Sequence, residues 1–313
     1  MNQVGIAVTL GRDTHPAPPG HPENYNRLAL VTTALAEAGI KSLTTNLDVR
    51  EFDASILKRV HDSAYVDSLQ NYRRSEIKHL DPDTFMGPLS YAASCGVTWA
   101  ALSAVDEAFG GGPRVSFIIG RPPGHHAETD RAMGFCLVNH VAVAAQYALD
   151  SHNCRRVAVV DFDVHHGNGT QHLFYDRSNV LYISTHQSPF YPGTGAIGEQ
   201  GVGDGLGHTM NFPFWAGAGD AELVGVFQSE ISGALIRYEP DIIIVSAGFD
   251  GHYLDPLGGF SLTGEGYRQI GICLRQAADH QCGSRLVSVL EGGYNPEANV
   301  DSITNYIRGI ALA

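Results

Sequence analysis

Positive charge is scarce in this chain. Its 313 residues include 20 Lys and Arg against 33 Asp and Glu, which gives a formal net charge of −13 at pH 7. Binding to nucleic-acid phosphates depends on basic residues, so this balance argues against a nucleic-acid partner. The same acidity fits a cationic substrate, although net charge mainly reports solubility.

Cysteine is also scarce, and no two cysteines form a CxxC pair. The five residues are scattered: Cys95, Cys136, Cys154, Cys273 and Cys282. An odd number without paired spacing predicts reduced thiols in a reducing compartment. The segment Met1–Gly11 lacks a basic region followed by a long apolar run, so it predicts neither a signal peptide nor a membrane anchor. We therefore expect a cytoplasmic protein with no membrane partner.

Hydrophobic residues make up 43% of the chain and charged residues 17%, which is typical of a globular protein and not of a disordered one. The sequence shows no internal repeat, linker or low-complexity segment. We therefore predict a single domain, residues 1–313, which is long enough to bury a large core.

Apolar, β-branched runs alternate with helical patterns. The predicted strands are Val4–Leu10, Val115–Ile119, Val157–Val160, Val180–Ser184, Ile242–Ser246 and Leu286–Leu290. The predicted helices are one that ends at Gly39, Tyr91–Phe109, Asn139–Leu149, one that Asp220 caps and that continues through Leu235, 263–279, and a last helix at the end of the chain. Residues 40–90 show no clear pattern. The alternation predicts an α/β fold with a mainly parallel sheet and helices on both faces.

Polar clusters follow the carboxyl ends of four predicted strands. They are His125-His126, Asp161 to His166, Asp250 and Tyr294. Ligands of open α/β sheets bind outside the carboxyl ends of the strands. Four clusters at one edge of a sheet therefore predict an active site there.

Asp161, Asp163 and His165 occupy alternate positions after a buried strand, so an extended chain would point all three to one side. Acids hydrogen-bonded at a strand end are the plainer interpretation, but crowding these groups on one face is costly without a cation. A catalytic zinc takes three protein ligands and keeps one open position. We therefore predict a zinc site with Asp163 and His165 as ligands and Asp250 as the best third ligand.

Pro122–Gly124 predicts a tight turn immediately before His125-His126. A general base must reach the attacking water and must be oriented by a partner. One histidine of the pair can take that role, and the other can supply charge or protonate the leaving group. Asp161 and Asn168 are the candidate partners. The alternative is a pair of ordinary histidines on a surface loop.

Tyr294 follows two glycines, where a phenol could approach a reacting oxygen, and simple packing in a glycine turn is an equal alternative. Small and aromatic residues are candidates for an apolar slot around a linear substrate arm: Gly134, Phe135, Phe190 and Tyr191. Phe190 and Tyr191 belong to His186–Gly219, a Gly- and Pro-rich segment. A loop of that length inside a compact domain is usually functional.

Taken together, these motifs resemble the histone deacetylase and acetylpolyamine amidohydrolase superfamily, which has an arginase-like α/β fold. The resemblance covers nearly the whole chain and rests on His21–Glu23, Arg121–Ala127, Asp161–Gln171, Ser246–Asp250, Asp255–Gly259 and Leu290–Asn295. Asn168 and the Glu291–Tyr294 segment resemble the class II branch and its bacterial relatives.

The resemblance implies that Asp163, His165 and Asp250 bind zinc. It implies His126 as the general base, His125 as its electrostatic or acid partner with Asp161 behind it, and Tyr294 as the group that polarises the carbonyl. It also implies structural potassium. The residues expected around one potassium are Asp161, Ser184, Thr185 and the main-chain oxygens of Asp163 and His165, and those near a second are Phe174, Arg177 and Val180.

The implied activity is zinc-dependent removal of acetyl or longer acyl groups from lysine side chains. The substrate is then an acylated lysine of a protein or peptide, or a small acetylated amine. The sequence leaves the oligomeric state open, a homo-oligomer included.

An acetylpolyamine deacetylase is the closest alternative. Polyamine-specific relatives have a Glu at the position of Leu257. Leu257 could instead pack on an aliphatic arm. Glu199 and Asp204 could still supply acidic groups at the mouth of the pocket, so the polyamine alternative stays open. An arginase-like enzyme with two manganese ions would need more bridging carboxylates. A catalytically silent acyl-lysine reader would be expected to lack Tyr294 or the histidine pair.

Overall fold

Eight strands form one sheet in which all neighbours run parallel, and two further strands form a small antiparallel pair. The computed structural model describes residues 3–11, 14–72 and 76–311, so both ends of the predicted domain 1–313 and the first residues of Met1–Gly11 lie outside the described residues. The strands are β1 (Val4–Thr9), β2 (Thr44–Asn46), β3 (Lys78–His79), β4 (Phe85–Met86), β5 (Val115–Gly120), β6 (Val157–Asp161), β7 (Val180–Gln187), β8 (Thr209–Phe214), β9 (Ile242–Ala247) and β10 (Leu286–Leu290). The order in the large sheet is β2-β1-β5-β10-β9-β6-β7-β8.

Helices cover both faces of this sheet. They are α1 (Asn26–Leu35), α2 (Ala38–Lys41), α3 (Ser63–Gln70), α4 (Ser90–Gly110), α5 (His140–Ser151), α6 (Asn168–Phe174), α7 (Asp220–Val226), α8 (Ser232–Tyr238), α9 (Gly264–Cys282) and α10 (Pro296–Ala311). The core on one face includes α1, α7, α8, α9 and α10, and the core on the other face includes α3, α4 and α5. The predicted α/β fold with a parallel sheet is confirmed.

The central strand β9 shows why these strands contain long apolar runs. Ile243 and Val245 belong to the core on one face, whereas Ile242 and Ile244 belong to the core on the other. All four side chains are fully buried. Because successive residues of a strand point to opposite faces, a strand with helices on both sides needs an apolar residue at every position.

The structure corrects the prediction that His186–Gly219 is one long loop. Strand β7 continues to Gln187, and Thr209–Phe214 forms β8, which pairs with β7 at the edge of the sheet. Pro213 obscured this strand in the sequence, because proline cannot donate a hydrogen bond to a ladder. An edge strand tolerates it, since within the described part of the chain one side of β8 has no neighbouring strand.

Two helix predictions also need correction. Helix α1 ends at Leu35, and Gly39 lies inside the separate short helix α2, because the extended backbone at Glu37 interrupts the helical path. Asp220 begins α7 but does not cap it. Its carboxylate accepts hydrogen bonds from the backbone and hydroxyl of Thr263, at the start of α9. A π-helical turn, Phe227–Ile231, separates α7 from α8 within the predicted continuous helix.

Candidate active site

The four central strands of the sheet deliver the polar clusters. Strands β5, β10, β9 and β6 are consecutive neighbours, and their carboxyl ends lead to His125-His126, Tyr294, Asp250 and Asp163–His165 respectively. Because all four strands are parallel, these segments meet at one edge of the sheet. The fold thus brings together residues that are up to 169 positions apart, from His125 to Tyr294.

Asp163, His165 and Asp250 form the base of the site. One potential ligand atom from each residue lies within 4.8 Å of the others. The ring Nδ1 of His165 lies 3.0 Å from Asp163 Oδ1 and 3.0 Å from Asp250 Oδ2. Both carboxylates are buried, with 1% and 0% of their surface exposed. The three residues predicted as ligands are therefore clustered in the fold.

Glycines make this close approach feasible. A Cβ atom on Gly292 would lie 2.1 Å from Asp250 Oδ2, and one on Gly248 would lie 2.1 Å from Asp163 Oδ2. The backbone of Gly292 also donates a hydrogen bond to Asp163 Oδ2, at 2.8 Å. A side chain at either position would push the carboxylates out of place.

The electrostatics of the three residues favour positive charge between them. Burial alone would lower the pKa of His165, but its hydrogen bonds to Asp163 and Asp250 raise it to about 10. Burial and the adjacent Asp163 raise the pKa of Asp250 to about 7. Burial would also raise the pKa of Asp163, yet His125 and His165 lower it. Two carboxylates that compete for positive charge in a buried site are a suitable environment for a divalent cation.

The histidine pair lies beside this cluster and is buried, with 2% of His125 and 4% of His126 exposed. The plain alternative of a surface loop therefore does not apply. His125 Nδ1 lies 3.0 Å from Asp161 Oδ2, and His126 Nδ1 lies 2.7 Å from Asn168 Oδ1. The two candidate partners are thus divided between the histidines, with Asp161 beside His125 and Asn168 beside His126.

The two histidines have opposite charge preferences. Burial alone would lower the pKa of His125, but Asp161 and Asp163 raise it to about 10. Burial, followed by His125 and His165, holds the pKa of His126 well below its usual value. At neutral pH, His125 is therefore cationic and His126 is neutral. A neutral imidazole can accept a proton, and a cationic one can stabilise negative charge or donate a proton.

Tyr294 is fixed by its backbone. Its amide donates a 2.6 Å hydrogen bond to Asp255 Oδ2, which also accepts from the amide of Asn295 at 3.2 Å. Burial raises the pKa of the Tyr294 phenol well above its usual value. The hydroxyl therefore stays protonated and can donate a hydrogen bond to an oxyanion.

A cavity of about 470 Å³ opens above these residues and is lined by His126, His165 and Tyr294. The four residues predicted for the apolar slot, Gly134, Phe135, Phe190 and Tyr191, line it as well, and so does Leu257, which we expected to pack on a substrate arm. A second groove of about 470 Å³ lies along β8 and α8 and contains none of these residues. The cavity above the clustered acids and histidines is therefore the candidate substrate site.

The sequence did not single out Asp83, which also lines the cavity. Asp83 belongs to the segment Asp81–Thr84, whose residue types predict a turn but do not indicate a binding role. Neither Glu199 nor Asp204, the acids that we considered for the mouth of the cavity, lines it. The Glu199 carboxylate instead accepts hydrogen bonds within its own loop, including one from Gly195 at 3.1 Å. The acidic group at this cavity thus comes from a different segment.

The residues predicted near potassium lie beside the site but their role stays a prediction. Asp161 and Ser184 are direct partners in the β6–β7 register, and the buried Thr185 hydroxyl has no hydrogen-bond partner within the described residues. The residues expected near the second potassium lie around the turn between α6 and β7. The Arg177 guanidinium there lies 5.3 Å from the ring of Phe174. Val180 is the first residue of β7.

Comparisons with known proteins show the family of this chain. A family model described as the histone deacetylase domain matches residues 21–310. The chain belongs to the histone deacetylase family. This confirms the resemblance seen in the sequence and places the chain among enzymes that hydrolyse amides.

Individual members of the family match over most of their length. A probable deacetylase of Methanothermobacter thermautotrophicus is 38% identical over 93% of this chain and 86% of its own length. Histone deacetylase 10, chloroplastic, of Oryza sativa subsp. japonica is 37% identical over 92% of this chain and 69% of its own length. The crystal structure of the HDA15 HD domain matches with a TM-score of 0.91 and 34% identity, over 99% of this chain and 91% of that chain.

No helix among the described residues has the length and apolar character that crossing a membrane requires.

Proposed function

We propose that this protein is a zinc-dependent deacetylase that removes acetyl or longer acyl groups from lysine side chains. One observation carries the proposal. His165, which clusters with Asp163 and Asp250, lines a cavity that also presents His126 and Tyr294. A metal-binding cluster, a neutral histidine and a phenol in one cavity are the groups that metal-assisted amide hydrolysis requires.

The donor set fits zinc. Two carboxylates and one imidazole are among the ligands that zinc uses in catalytic sites, where three protein ligands leave one position open. Burial alone would lower the pKa of His165, but Asp163 and Asp250 raise it. The two carboxylates therefore stabilise a positive charge between them. Zinc bound there would supply Lewis-acid polarisation of the acyl carbonyl and would lower the pKa of a water molecule.

The histidines would move the protons. His126 is neutral and would take a proton from the attacking water through Nε2, since its Nδ1 faces Asn168 at 2.7 Å. His125, held cationic by Asp161, would stabilise the developing negative charge. The departing amine would then receive a proton from a histidinium of the pair.

Tyr294 would polarise the carbonyl. Its hydroxyl is the protonated donor in the cavity, and a donor aimed at the developing oxyanion typically contributes about 10²–10³ in kcat. The apolar slot formed by residues such as Phe135 and Phe190 would hold the aliphatic arm of an acyl-lysine, whose four methylenes gain from leaving water.

The acetylpolyamine alternative is favoured by one observation, the carboxylate of Asp83 at the cavity. It could pair with a distal ammonium group of a polyamine or accept a hydrogen bond from a peptide amide. Leu257 supplies no second charge beside it. We therefore favour acyl-lysine as the substrate class. A catalytically silent reader would not require both the neutral His126 and the protonated Tyr294.

We further propose that the protein acts in the cytoplasm, since its five cysteines are free and buried. We also propose that a structural potassium ion binds beside Asp161 and Ser184.

A substrate panel tests the function. Zinc-loaded protein is assayed with acetyl-lysine peptides, longer acyl-lysine peptides and acetylated polyamines, each with and without a chelator. We expect hydrolysis of the acyl-lysine peptides that is lost with the chelator and restored by zinc. Hydrolysis that persists in the metal-free protein would contradict zinc dependence, and no hydrolysis of any substrate would contradict the enzyme assignment.

A further inference from the structure

A buried carboxylate that the proposed reaction does not use lies behind the general base. Glu128 is only 5% exposed, and its Oε1 accepts a 2.5 Å hydrogen bond from Asn168 Nδ2. The other end of the same amide, Asn168 Oδ1, lies 2.7 Å from His126 Nδ1. Glu128, Asn168 and His126 thus form a continuous hydrogen-bonded chain that ends in the cavity.

Two further side chains lie near the Glu128 carboxylate. His172 Nδ1 lies 2.9 Å from Oε1 and 3.0 Å from Oε2, and Arg131 lies 3.8 Å from Oε1. Burial alone would raise the pKa of Glu128, but the hydrogen bonds from His172 and Asn168 lower it. The carboxylate is therefore ionised at neutral pH, and an ionised carboxylate only accepts hydrogen bonds.

This ionised group decides which way the amide of Asn168 points. An asparagine amide can rotate to exchange its oxygen and its nitrogen, and the two orientations occupy the same space. With the amide reversed, Asn168 Oδ1 would face the carboxylate of Glu128, and two acceptors would meet in a buried site. The carboxylate therefore keeps Nδ2 toward itself and Oδ1 toward His126.

The orientation of Asn168 in turn sets the tautomer of His126. An amide oxygen needs a donor, so the neutral imidazole carries its proton on Nδ1 and its lone pair on Nε2. Within the described residues Nε2 makes no hydrogen bond, and the ring lines the cavity. Only this tautomer presents a proton acceptor to the cavity.

We propose that Glu128 is a positioning residue that, through the amide of Asn168, holds neutral His126 in the tautomer able to act as a base. Its effect on turnover rests on the proposed function, whereas its effect on the tautomer does not. Glu128 is not among the residues that line the cavity, so a loss should appear in kcat and not in KM.

The test substitutes two residues that contact each other, Glu128 and Asn168, singly and together. Glu128→Gln keeps the shape but can face either end of the amide, so kcat should fall by about 10-fold or more with KM nearly unchanged. Asn168→Asp alone places two carboxylates against each other and should also lower kcat. The double variant should recover most of the lost kcat, because either oxygen of an aspartate accepts from His126 and the glutamine donates to the other.

Arg131→Gln is the matched control, since the Arg131 guanidinium is exposed and lies 3.8 Å from Glu128 Oε1, beyond hydrogen-bonding distance. It should change kcat by less than about 2-fold. Thermal unfolding of every variant separates a loss of kcat from a loss of folded protein. A double variant no more active than Glu128→Gln alone would overturn the proposal, because a purely structural role predicts two losses that accumulate.

The tautomer is measured directly by NMR of the histidine ring nitrogens in ¹⁵N-labelled protein, both metal-free and zinc-loaded. The His126 signals are identified by their absence in His126→Gln. We expect a protonated Nδ1 in the wild type and a mixture of tautomers in Glu128→Gln. An unchanged spectrum in Glu128→Gln would also overturn the proposal. If the wild type hydrolysed no substrate, the proposed function would fail, and this spectrum would still decide the role of Glu128.

Discussion

The guanidinium carbon of Arg27 lies 5.3 Å from the centre of the Tyr294 ring. Arg27 is buried, and its two terminal nitrogens donate to the carbonyl oxygens of Gly293 at 3.0 Å and Glu291 at 2.9 Å. Its Nε donates to Glu23 at 3.2 Å. One side chain from α1 therefore binds the segment that carries the phenol and supports the face of the ring.

Arg27→Lys should lower both stability and turnover. A single ammonium group cannot serve both carbonyl oxygens and Glu23 in the arginine geometry, and each buried acceptor left without a donor costs about 1–3 kcal/mol. We expect a lower free energy of unfolding, a lower kcat and normal zinc content. Denaturant unfolding, a peptide assay and elemental analysis measure the three. The same change at half-buried Arg308, whose guanidinium hydrogen-bonds to the side chains of Thr304 and Asn305 on its own helix, is the control.

Tyr294→Phe should separate chemistry from metal binding. The phenol is not a ligand in the proposed site, so zinc content should stay normal. Turnover of an acetyl-lysine peptide should fall by about 100-fold or more, the usual effect of losing one oxyanion donor. Unchanged turnover would mean that Tyr294 only packs against its neighbours.

Asp163→Ala and Asp250→Ala should each remove zinc and activity together, because a site with three protein ligands cannot spare one. Elemental analysis of the purified variants measures the metal. Asp204→Ala is the control, since Asp204 is an acid outside the cavity. Full zinc occupancy in both variants would exclude Asp163 and Asp250 as ligands.

The cavity should favour acyl-lysine peptides. We expect a higher kcat/KM for them than for acetylated spermidine or putrescine, because Leu257 offers no charge to a distal ammonium group. Leu257→Glu should shift the ratio toward the polyamine by about 1–2 kcal/mol, the value of one partly solvated charge pair. Leu257→Gln controls for size and polarity. A wild-type preference for acetylated polyamines would overturn the substrate assignment and leave the zinc site standing.

His140 should make the protein less stable in mild acid. It is fully buried, its Nε2 lies 3.1 Å from the carbonyl oxygen of Pro122, and burial lowers its pKa from 6.5 to about 4. Between these two values the unfolded chain binds a proton that the folded protein excludes. The free energy of unfolding should therefore fall as the pH falls through this window, by up to about 1.4 kcal/mol per pH unit from this residue.

Urea unfolding at several values between pH 7 and pH 5 measures this slope. His140→Gln should reduce the slope, because the replacement does not titrate. His79→Gln should leave it unchanged, since His79 is exposed. An identical slope in His140→Gln and the wild type would show that His140 does not contribute.

The sequence alone determined the class of fold and the edge of the sheet where the site lies. Runs such as Ile242–Val245 are apolar at every position, and only a strand covered on both faces requires that. Parallel strands all end at the same edge, so the polar residues that follow them had to converge. These two rules predict that Asp163, His165 and Asp250 lie together, and in the structure they do.

Only the tertiary structure decided which distant groups complete the site. Asp83 reaches the cavity from a turn that precedes the central strands, and Arg27 reaches Gly293 across 266 positions of sequence. The strand β8 was hidden by Pro213, whose acceptability depends on its place at the edge of the sheet. Glu128 follows His126 by two residues, but its role depends on Asn168, which α6 carries to the same point. A local sequence pattern predicts the kind of contact that a residue makes, whereas the packing of the tertiary structure decides which distant residue provides that contact.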